Sequence, residues 1–144
     1  MSINELQDQI IEETQDLTDW MDRYAYIIEL GESLDSLADA DKTPDNLIEG
    51  CQSRVWIAAS LDADGNVVFR ADSDALIVKG IVAMLLQVLN GHTPKEILDA
   101  DLYFIDRMGL KDHLSPTRSN GLVAMVKQMR MYALAFSVAS EKGK

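Results

Sequence analysis

Apolar and polar residues recur with the period of a helix over the first part of the chain. Ser2 and Glu5 have the spacing of a capping box, in which each side chain bonds the other residue's backbone amide, and this predicts a helix start. The apolar positions of this first helix are Ile3, Leu6, Ile10 and Leu17. A second helix is predicted from Asp19 to Leu30, with Gly31 as the left-handed residue that ends it.

The period changes in the middle of the chain, where β-favouring residues form two short runs. Val55–Ala58 and Val67–Phe69 flank an Asp-Gly turn at residues 62–65, and this arrangement predicts an antiparallel hairpin. Because two strands alone are marginally stable, Asn46–Ile48 is expected to add a third strand. Residues 32–45 contain a proline and repeated aspartates, and they are predicted to form a loop with one helical turn.

The most apolar segment, Ala75–Leu89, is predicted to be the central buried helix because it is apolar on nearly every side. Any of the polar residues 72–74 before it is suited to cap its first turn. Thr93 and Glu96 form a second capping box at the start of a short helix, and a further helix is expected around Leu102–Met108.

The last helix is expected after Ser115 and Pro116. Its predicted core face consists of Leu122, Met125, Val126, Met129, Ala133 and Phe136. Helices before and after a small antiparallel sheet predict the α+β fold class, as a single domain over residues 1–144.

Composition and charge exclude several classes of function. The 144 residues are 47% hydrophobic and 26% charged, which is typical of a folded domain rather than a disordered chain. The net charge of −11 argues against a nucleic acid or an anionic membrane as partner, since both attract basic surfaces. The longest apolar stretch, Ala75–Leu89, is shorter than the roughly 20 residues of a membrane span. The N-terminus shows no secretory signal, so a cytoplasmic location is expected.

The negative charge is concentrated in residues 1–50, which hold 14 acidic and two basic residues, whereas residues 51–144 have a net charge of +1. An acidic surface of this kind increases solubility or contacts a basic partner. The sequence leaves both interpretations open.

Cys51 is the only cysteine, so no internal disulfide can form, and a reducing compartment is expected. A lone cysteine is most often a small buried apolar residue. Here Gly50 precedes it and polar Gln52 follows it, where a core strand would carry aliphatic residues, and this favours a loop thiol at the margin of the sheet. Such a thiol reacts as a thiolate and needs a cation nearby. The candidate cations are Arg54, Lys79, His113 and Arg118.

Motifs for other chemistry are missing from the sequence. It contains no glycine-rich phosphate loop, no GxSxG elbow and no HExxH spacing. His92 and His113 are the only histidines, and with one cysteine they cannot form a cysteine-rich zinc site, so no metal site is predicted.

Four segments in order along the chain resemble the signatures of the SufE family of sulfur acceptors, which includes the closely related CsdE proteins. The most informative segment contains the cysteine and reads GCQSRVW, from Gly50 to Trp56. The others read YAYIIELG (Tyr24–Gly31), ADSDALIVKG (Ala71–Gly80) and HLSPTRSNGL (His113–Leu122). Any one of these matches would be weak, but four in order over most of the chain are specific.

The resemblance implies a function and a fold. Such proteins take sulfane sulfur from a cysteine desulfurase that uses pyridoxal phosphate (PLP), of the SufS or CsdA type, and pass it towards an iron–sulfur cluster-assembly scaffold. The acceptor would be Cys51, and PLP would be bound by the desulfurase and not by this chain. The implied fold is a three-stranded antiparallel sheet packed with helices, similar to the IscU scaffold proteins. A homodimer is left open.

The proposed sulfur chemistry also suggests supporting residues around the sulfur. Gly50 is the expected pivot of the cysteine loop, Arg118 the expected cation, and Asp74 a residue that orients this region. Gln52 and His113 are further candidates for the same site. For Arg118 and Asp74, a role in helix capping or packing is an equal alternative.

Three other functions remain open on sequence grounds. An IscU-like scaffold would hold a cluster itself, but such sites generally use several thiolates and this chain has one. A thiol enzyme would pair Cys51 with His92 or His113 as base, although no spacing favours it. A non-catalytic interaction module would keep its cysteine in the core.

Overall fold

The predicted helices and the hairpin occur in the predicted order along the chain, and the structure adds a short helix over residues 110–113 that the sequence did not predict. The computed structural model describes residues 1–48 and 53–142. Their elements are α1 (Ile3–Gln15), α2 (Trp20–Glu32), a short 3-10 helix (Asp39–Asp41), β1 (Val55–Leu61), β2 (Val67–Ser73), α3 (Leu76–Leu89), α4 (Pro94–Asp99), α5 (Phe104–Arg107), α6 (Leu110–His113) and α7 (Pro116–Lys142). Mixed helices and strands confirm the α+β class.

Strands β1 and β2 form an antiparallel pair with continuous register from Val55 opposite Ser73 to Leu61 opposite Val67. The predicted turn closes them. The Asp62 carboxylate accepts hydrogen bonds from the amides of residues 64 and 66, both at 2.9 Å. Gly65 has a φ of 82°, a left-handed conformation that favours glycine.

The expected third strand is wrong, because the sheet in the described residues has two strands. Asn46–Ile48 approaches β1 only through an isolated antiparallel bridge between Leu47 and Trp56. The amides of Asn46 and Leu47 both donate to the Thr43 carbonyl oxygen at 3.1 Å, so they belong to a tight turn. The turn leaves too few extended residues to continue the ladder.

The core lies around α3, which is buried along most of its length and packs against α2, β2, α1 and α7. The predicted caps for this helix are wrong, since its N-cap is Ala75 and no side chain caps its first turn. The polar residues 72–74 make other contacts instead, which fix the edge of the sheet.

The role predicted for Gly31, ending α2, is wrong, because Gly31 lies inside the helix where α2 crosses α3. A Cβ atom at Gly31 would lie 2.7 Å from the backbone nitrogen of Gly80, and one at Gly80 would overlap the Ile27 carbonyl oxygen. The glycine pair therefore sets how closely the two helices approach, and Gly31 has no role in a turn.

Helix α7 buries the predicted core face, with Leu122, Met125, Met129 and Ala133 at 2% exposure or less. Its central part, Arg118–Ala139, is also long and apolar enough to cross a membrane by length and composition alone. The core helix of a folded domain meets the same criterion, and one face of α7 packs on α4 and β1.

Candidate functional site

The backbone on both sides of residues 49–52 is held at one edge of the sheet. Before this segment, the Ile48 amide donates to the Val55 carbonyl oxygen at 2.8 Å, and the Ile57 amide donates to the Asn46 carbonyl oxygen at 2.9 Å. Ile48 and Val55 are both buried. The two flanks of the segment are therefore fixed to each other beside the first residues of β1.

Three of the predicted site residues, Gly50, Cys51 and Gln52, lie outside the described residues. Their roles stay predictions from the sequence. The described residues on both sides of them form the surroundings of the segment, which we call the frame.

Asp74 lies at this edge and fixes the backbone that follows the segment. Its carboxylate accepts a hydrogen bond from the Arg54 amide at 3.0 Å, and its own amide donates to the Arg54 carbonyl oxygen at 3.3 Å. The Ser73 hydroxyl donates to the same carbonyl at 2.9 Å. Asp74 therefore orients the first residues of β1, whereas a direct role at the sulfur stays a prediction.

A buried carboxylate that the sequence did not reveal, Asp72, lies one pair further along the sheet, opposite Trp56. It accepts from the amides of Leu37 at 3.2 Å and Ser73 at 2.8 Å. Two ammonium groups also approach it, those of Lys42 at 3.5 Å and Lys79 at 3.4 Å. Because two cations share one carboxylate, these three side chains together carry a net charge of +1.

The electrostatics of Asp72 follow from these contacts. Burial alone raises the pKa of its carboxyl group, but the amide hydrogen bonds from Leu37 and Ser73 and the ammonium of Lys79 outweigh it. The pKa of Asp72 therefore lies below the ordinary aspartate value, and the group is ionised at neutral pH. Lys79, one of the predicted candidate cations, is committed to this ion pair.

Lys42 connects the same cluster to an aromatic ring. Its ammonium lies 5.3 Å from the centre of the Trp56 ring, within range of a cation–π contact. Trp56 is part of the cysteine-containing motif. The loop that precedes the segment is thereby held against a side chain of β1.

Helix α7 holds the other side of the frame through Tyr132. The Tyr132 hydroxyl lies 2.6 Å from the Asn46 side-chain oxygen and 3.0 Å from the Ile57 carbonyl oxygen, and its single proton is donated to one of these acceptors. The Asn46 side-chain amide in turn donates to the Asp41 carbonyl at 2.8 Å. Tyr132 thus ties α7 to the chain just before the segment.

His113 makes contacts that fix it to α2. Its imidazole stacks on Trp20 with ring centres 3.8 Å apart and planes inclined by 14°, and its Nδ1 lies 3.1 Å from the Gly109 carbonyl oxygen. The Tyr24 hydroxyl donates to the His113 carbonyl at 2.7 Å. Two of the family-like segments, Tyr24–Gly31 and His113–Leu122, therefore meet here, and His113 forms the contact between them.

Arg118 lies in the first turn of α7 and is exposed. Its amide donates to the Ser115 hydroxyl at 3.2 Å, which places the Ser-Pro-Thr-Arg segment at the helix start. In the part of the chain that the structure describes, no carboxylate forms an ion pair with Arg118. No described hydrogen bond links Arg118, His113 and Asp74 to one another.

His92, the alternative base of a thiol enzyme, is buried at 7% exposure. Its Nδ1 lies 3.3 Å from the Leu89 carbonyl oxygen and its Nε2 lies 2.9 Å from the Met1 carbonyl oxygen. Both ring nitrogens face backbone carbonyls. This geometry gives His92 a structural role between the end of α3 and the N-terminus.

Together, these observations define a small α+β protein in which side chains of several elements hold the residues on both sides of the cysteine-bearing segment. A family model described as the Fe-S metabolism associated domain, SufE, matches residues 8–133. The chain belongs to the SufE family.

A solved structure supports the fold. The chain is similar to the solution structure of a hypothetical protein from Thermus thermophilus, with a TM-score of 0.76 and 19% sequence identity. The similarity covers 92% of this chain and 96% of that one. At this identity the likeness shows a shared fold only.

Proposed function

We propose that the protein is a sulfur carrier that accepts sulfane sulfur on Cys51 from a PLP-dependent cysteine desulfurase. It would stimulate the desulfurase and relay the sulfur to iron–sulfur cluster assembly. The observation that carries the proposal is the position of the chain's one cysteine, in the family-like segment Gly50–Trp56 of a protein whose family is associated with Fe–S metabolism. PLP would be bound by the desulfurase, of the SufS or CsdA type.

The reaction needs a thiolate and no bound metal. The Cys51 thiolate attacks the terminal sulfur of the donor's cysteine persulfide, the donor's S–S bond breaks, and a new S–S bond forms on Cys51. The terminal sulfur keeps its proton, and the donor cysteine leaves as a thiolate. Charge and electrons therefore balance without an external oxidant or reductant.

The described residues support this chemistry in two ways. The hydrogen bonds of Ile48, Asp74 and Tyr132 fix the chain on both sides of the segment that contains Cys51. Arg118 is an exposed guanidinium without a carboxylate partner among the described residues, and we assign it the role of stabilising the thiolate. Lys79 is a weaker candidate because it pairs with Asp72.

The test is sulfur loading followed by mass spectrometry of the intact protein. The protein is mixed with a cysteine desulfurase, cysteine and PLP, and its mass is measured before and after addition of a reductant. The wild type is expected to gain one sulfur atom that the reductant removes, whereas Cys51→Ser should gain none because serine cannot form a persulfide. The fold of the variant is checked by circular dichroism.

The matched control is Ser53→Ala, a small change two residues from the cysteine that leaves the thiol in place. It is expected to load like the wild type. Equal sulfur gain by the wild type and Cys51→Ser would reject Cys51 as the acceptor. Loading of neither protein by SufS-type and CsdA-type donors would reject the carrier function itself.

A further inference from the structure

Helix α7 has two apolar faces on opposite sides, and only one of them is covered by the described chain. The buried face is the core stripe that contains Met129 and Ala133, both fully buried. Exposed apolar side chains form a second stripe, and they are Val123 (55% exposed), Met131 (55%), Leu134 (52%) and Val138 (40%). At 100° per residue, these four positions fall within a sector of about 80°, roughly opposite the core stripe.

A lysine lies in the middle of this exposed stripe. Lys127 is exposed, and no described carboxylate forms an ion pair with its ammonium group. Beside the stripe, one cleft that Lys127 lines also contains the charged side chains of Asp101, Asp106 and Arg130. The stripe therefore presents an apolar surface with one central positive charge.

Grooves run along both sides of the stripe. One, of about 510 Å³, separates α7 from α4 and α5 and is lined by Leu98, Leu102 and Ile105 on the far wall. The other, of about 460 Å³, separates α7 from Pro44, Leu47 and Ile48. Lys127 and Met131 line both grooves, so they form the ridge between them.

The second groove runs beside the chain that precedes the proposed acceptor. Ile48, at its wall, is the last described residue before the segment that contains Cys51. Cys51 follows Ile48 by three residues, which span at most about 11 Å of chain, so a macromolecule that delivers sulfur to Cys51 comes within reach of this groove. Exposed apolar patches beside a functional segment are typical of protein docking sites.

We infer that the exposed stripe of α7, with its two flanking grooves, is the docking surface for the persulfide donor. The inference rests on the proposed carrier function. The donor's complementary surface would be a convex apolar element that fits the ridge and grooves, with a carboxylate placed opposite Lys127. Apolar burial supplies the affinity, and the lysine contributes to the rate of encounter and to orientation.

The experiment measures donor binding and sulfur loading separately. Affinity for purified SufS-type and CsdA-type desulfurases is determined by isothermal titration calorimetry without cysteine, and loading of Cys51 is followed by mass spectrometry. Met131→Glu is expected to weaken binding by roughly tenfold or more, because it places a charge at the centre of the apolar contact. At saturating donor, the final amount of sulfur on Cys51 should equal that of the wild type.

The matched control is Leu61→Glu, the same type of change at an exposed leucine (42% exposed) at the opposite end of β1 from the cysteine segment. Its affinity and loading are expected to stay at wild-type values. Circular dichroism and thermal melting of both variants show whether either change disturbs the fold.

Each outcome separates the docking surface from the carrier function. Wild-type affinity in Met131→Glu, with normal loading of Cys51, would overturn the docking surface and leave the carrier function standing. Binding that is sensitive to Met131→Glu without sulfur on Cys51 would reject the carrier function and retain the surface. A change in self-association by analytical ultracentrifugation, with donor affinity unchanged, would assign the stripe to a second copy of the chain and overturn the inference.

Discussion

Single residues fix the edge of the sheet next to the cysteine segment, and Asp72 makes the most contacts among them. Its carboxylate bonds two amides and two ammonium groups, and these partners come from the loop before the segment, from β2 and from α3. Because burial disfavours the charged carboxylate, the amides of Leu37 and Ser73 and the ammonium of Lys79 are what keep its pKa below the ordinary value. Removing its charge should therefore affect the whole edge.

The first prediction concerns Asp72→Asn. The change keeps the shape but removes the charge that faces Lys42 and Lys79, and we expect a loss of about 2 kcal/mol in the free energy of unfolding at pH 7. Urea denaturation measures it. The lowered pKa sets the pH dependence: the contribution of Asp72 is complete above the unfolded aspartate pKa of about 3.9 and is lost as pH falls through the lower folded pKa.

The control for this prediction is Asp64→Asn, an exposed aspartate in the hairpin turn. It should change the unfolding free energy by less than about 0.5 kcal/mol. An Asp72→Asn protein that is as stable as the wild type at pH 7 would contradict the role of the carboxylate. So would a stability difference that stays constant as the pH is lowered through the aspartate range.

At the scale of elements, α7 connects the core to the chain before the cysteine segment. Its core stripe packs on the domain, and Tyr132 reaches across to Asn46 and Ile57. Asn46–Ile48 has only one bridge to β1 and does not form a full strand. Its order therefore depends strongly on the side chain that α7 contributes.

Tyr132→Phe tests this dependence. Loss of the hydroxyl removes a hydrogen bond worth about 1 kcal/mol, so the local opening of this segment should become about fivefold more frequent. Hydrogen exchange by NMR measures it at the amides of Ile48 and Ile57. The protection of both amides is expected to fall by that factor, while amides in the middle of α3 change less.

The corresponding control is Tyr26→Phe, which removes a hydroxyl that donates to Glu13 between α1 and α2. It should leave the exchange of Ile48 and Ile57 unchanged. If Tyr132→Phe also leaves the exchange of Ile48 and Ile57 unchanged, the hydrogen bond of the Tyr132 hydroxyl does not stabilise this segment.

At the scale of the whole molecule, the sequence predicted the helices and the hairpin because local signals specify them. The capping box at Ser2, the Asp-Gly turn and the apolar run of α3 each depend on residues close together in the chain. The third strand was wrong because a turn competes with it over the same few residues.

Features that depend on long-range contacts were not predictable from one sequence. By the alternation of β2, Asp72 shares the face of Arg70, which is exposed, and only the loop that folds over it makes Asp72 buried. Tyr132 pairs with residues more than seventy positions away. The pattern predicted the core stripe of α7 correctly, but the exposed apolar stripe was recognised only in the folded molecule.

The role of the last glycine in two of the family-like segments is also visible only in the folded molecule. Gly31 ends one segment and Gly80 ends another, and they meet where α2 crosses α3. These two positions therefore serve close packing rather than chemistry. Their contact joins the N-terminal helices to the buried helix on which the sheet rests.

Gly80→Ala tests this crossing. Alanine normally favours a helix over glycine by about 1 kcal/mol, but here its Cβ would overlap the Ile27 carbonyl oxygen, which is backbone and cannot rotate away. The helices must separate, and overpacking of this kind costs about 1–3 kcal/mol, so the variant should be less stable than the wild type by urea denaturation.

Gly65→Ala is the control: nothing lies within 4 Å of its added Cβ, so it loses only about 1–2 kcal/mol through left-handed strain and leaves the helix crossing intact. A Gly80→Ala protein as stable as the wild type, or more stable, would contradict this prediction. It would show that α2 and α3 move apart at no cost, so that only the higher helix propensity of alanine remains.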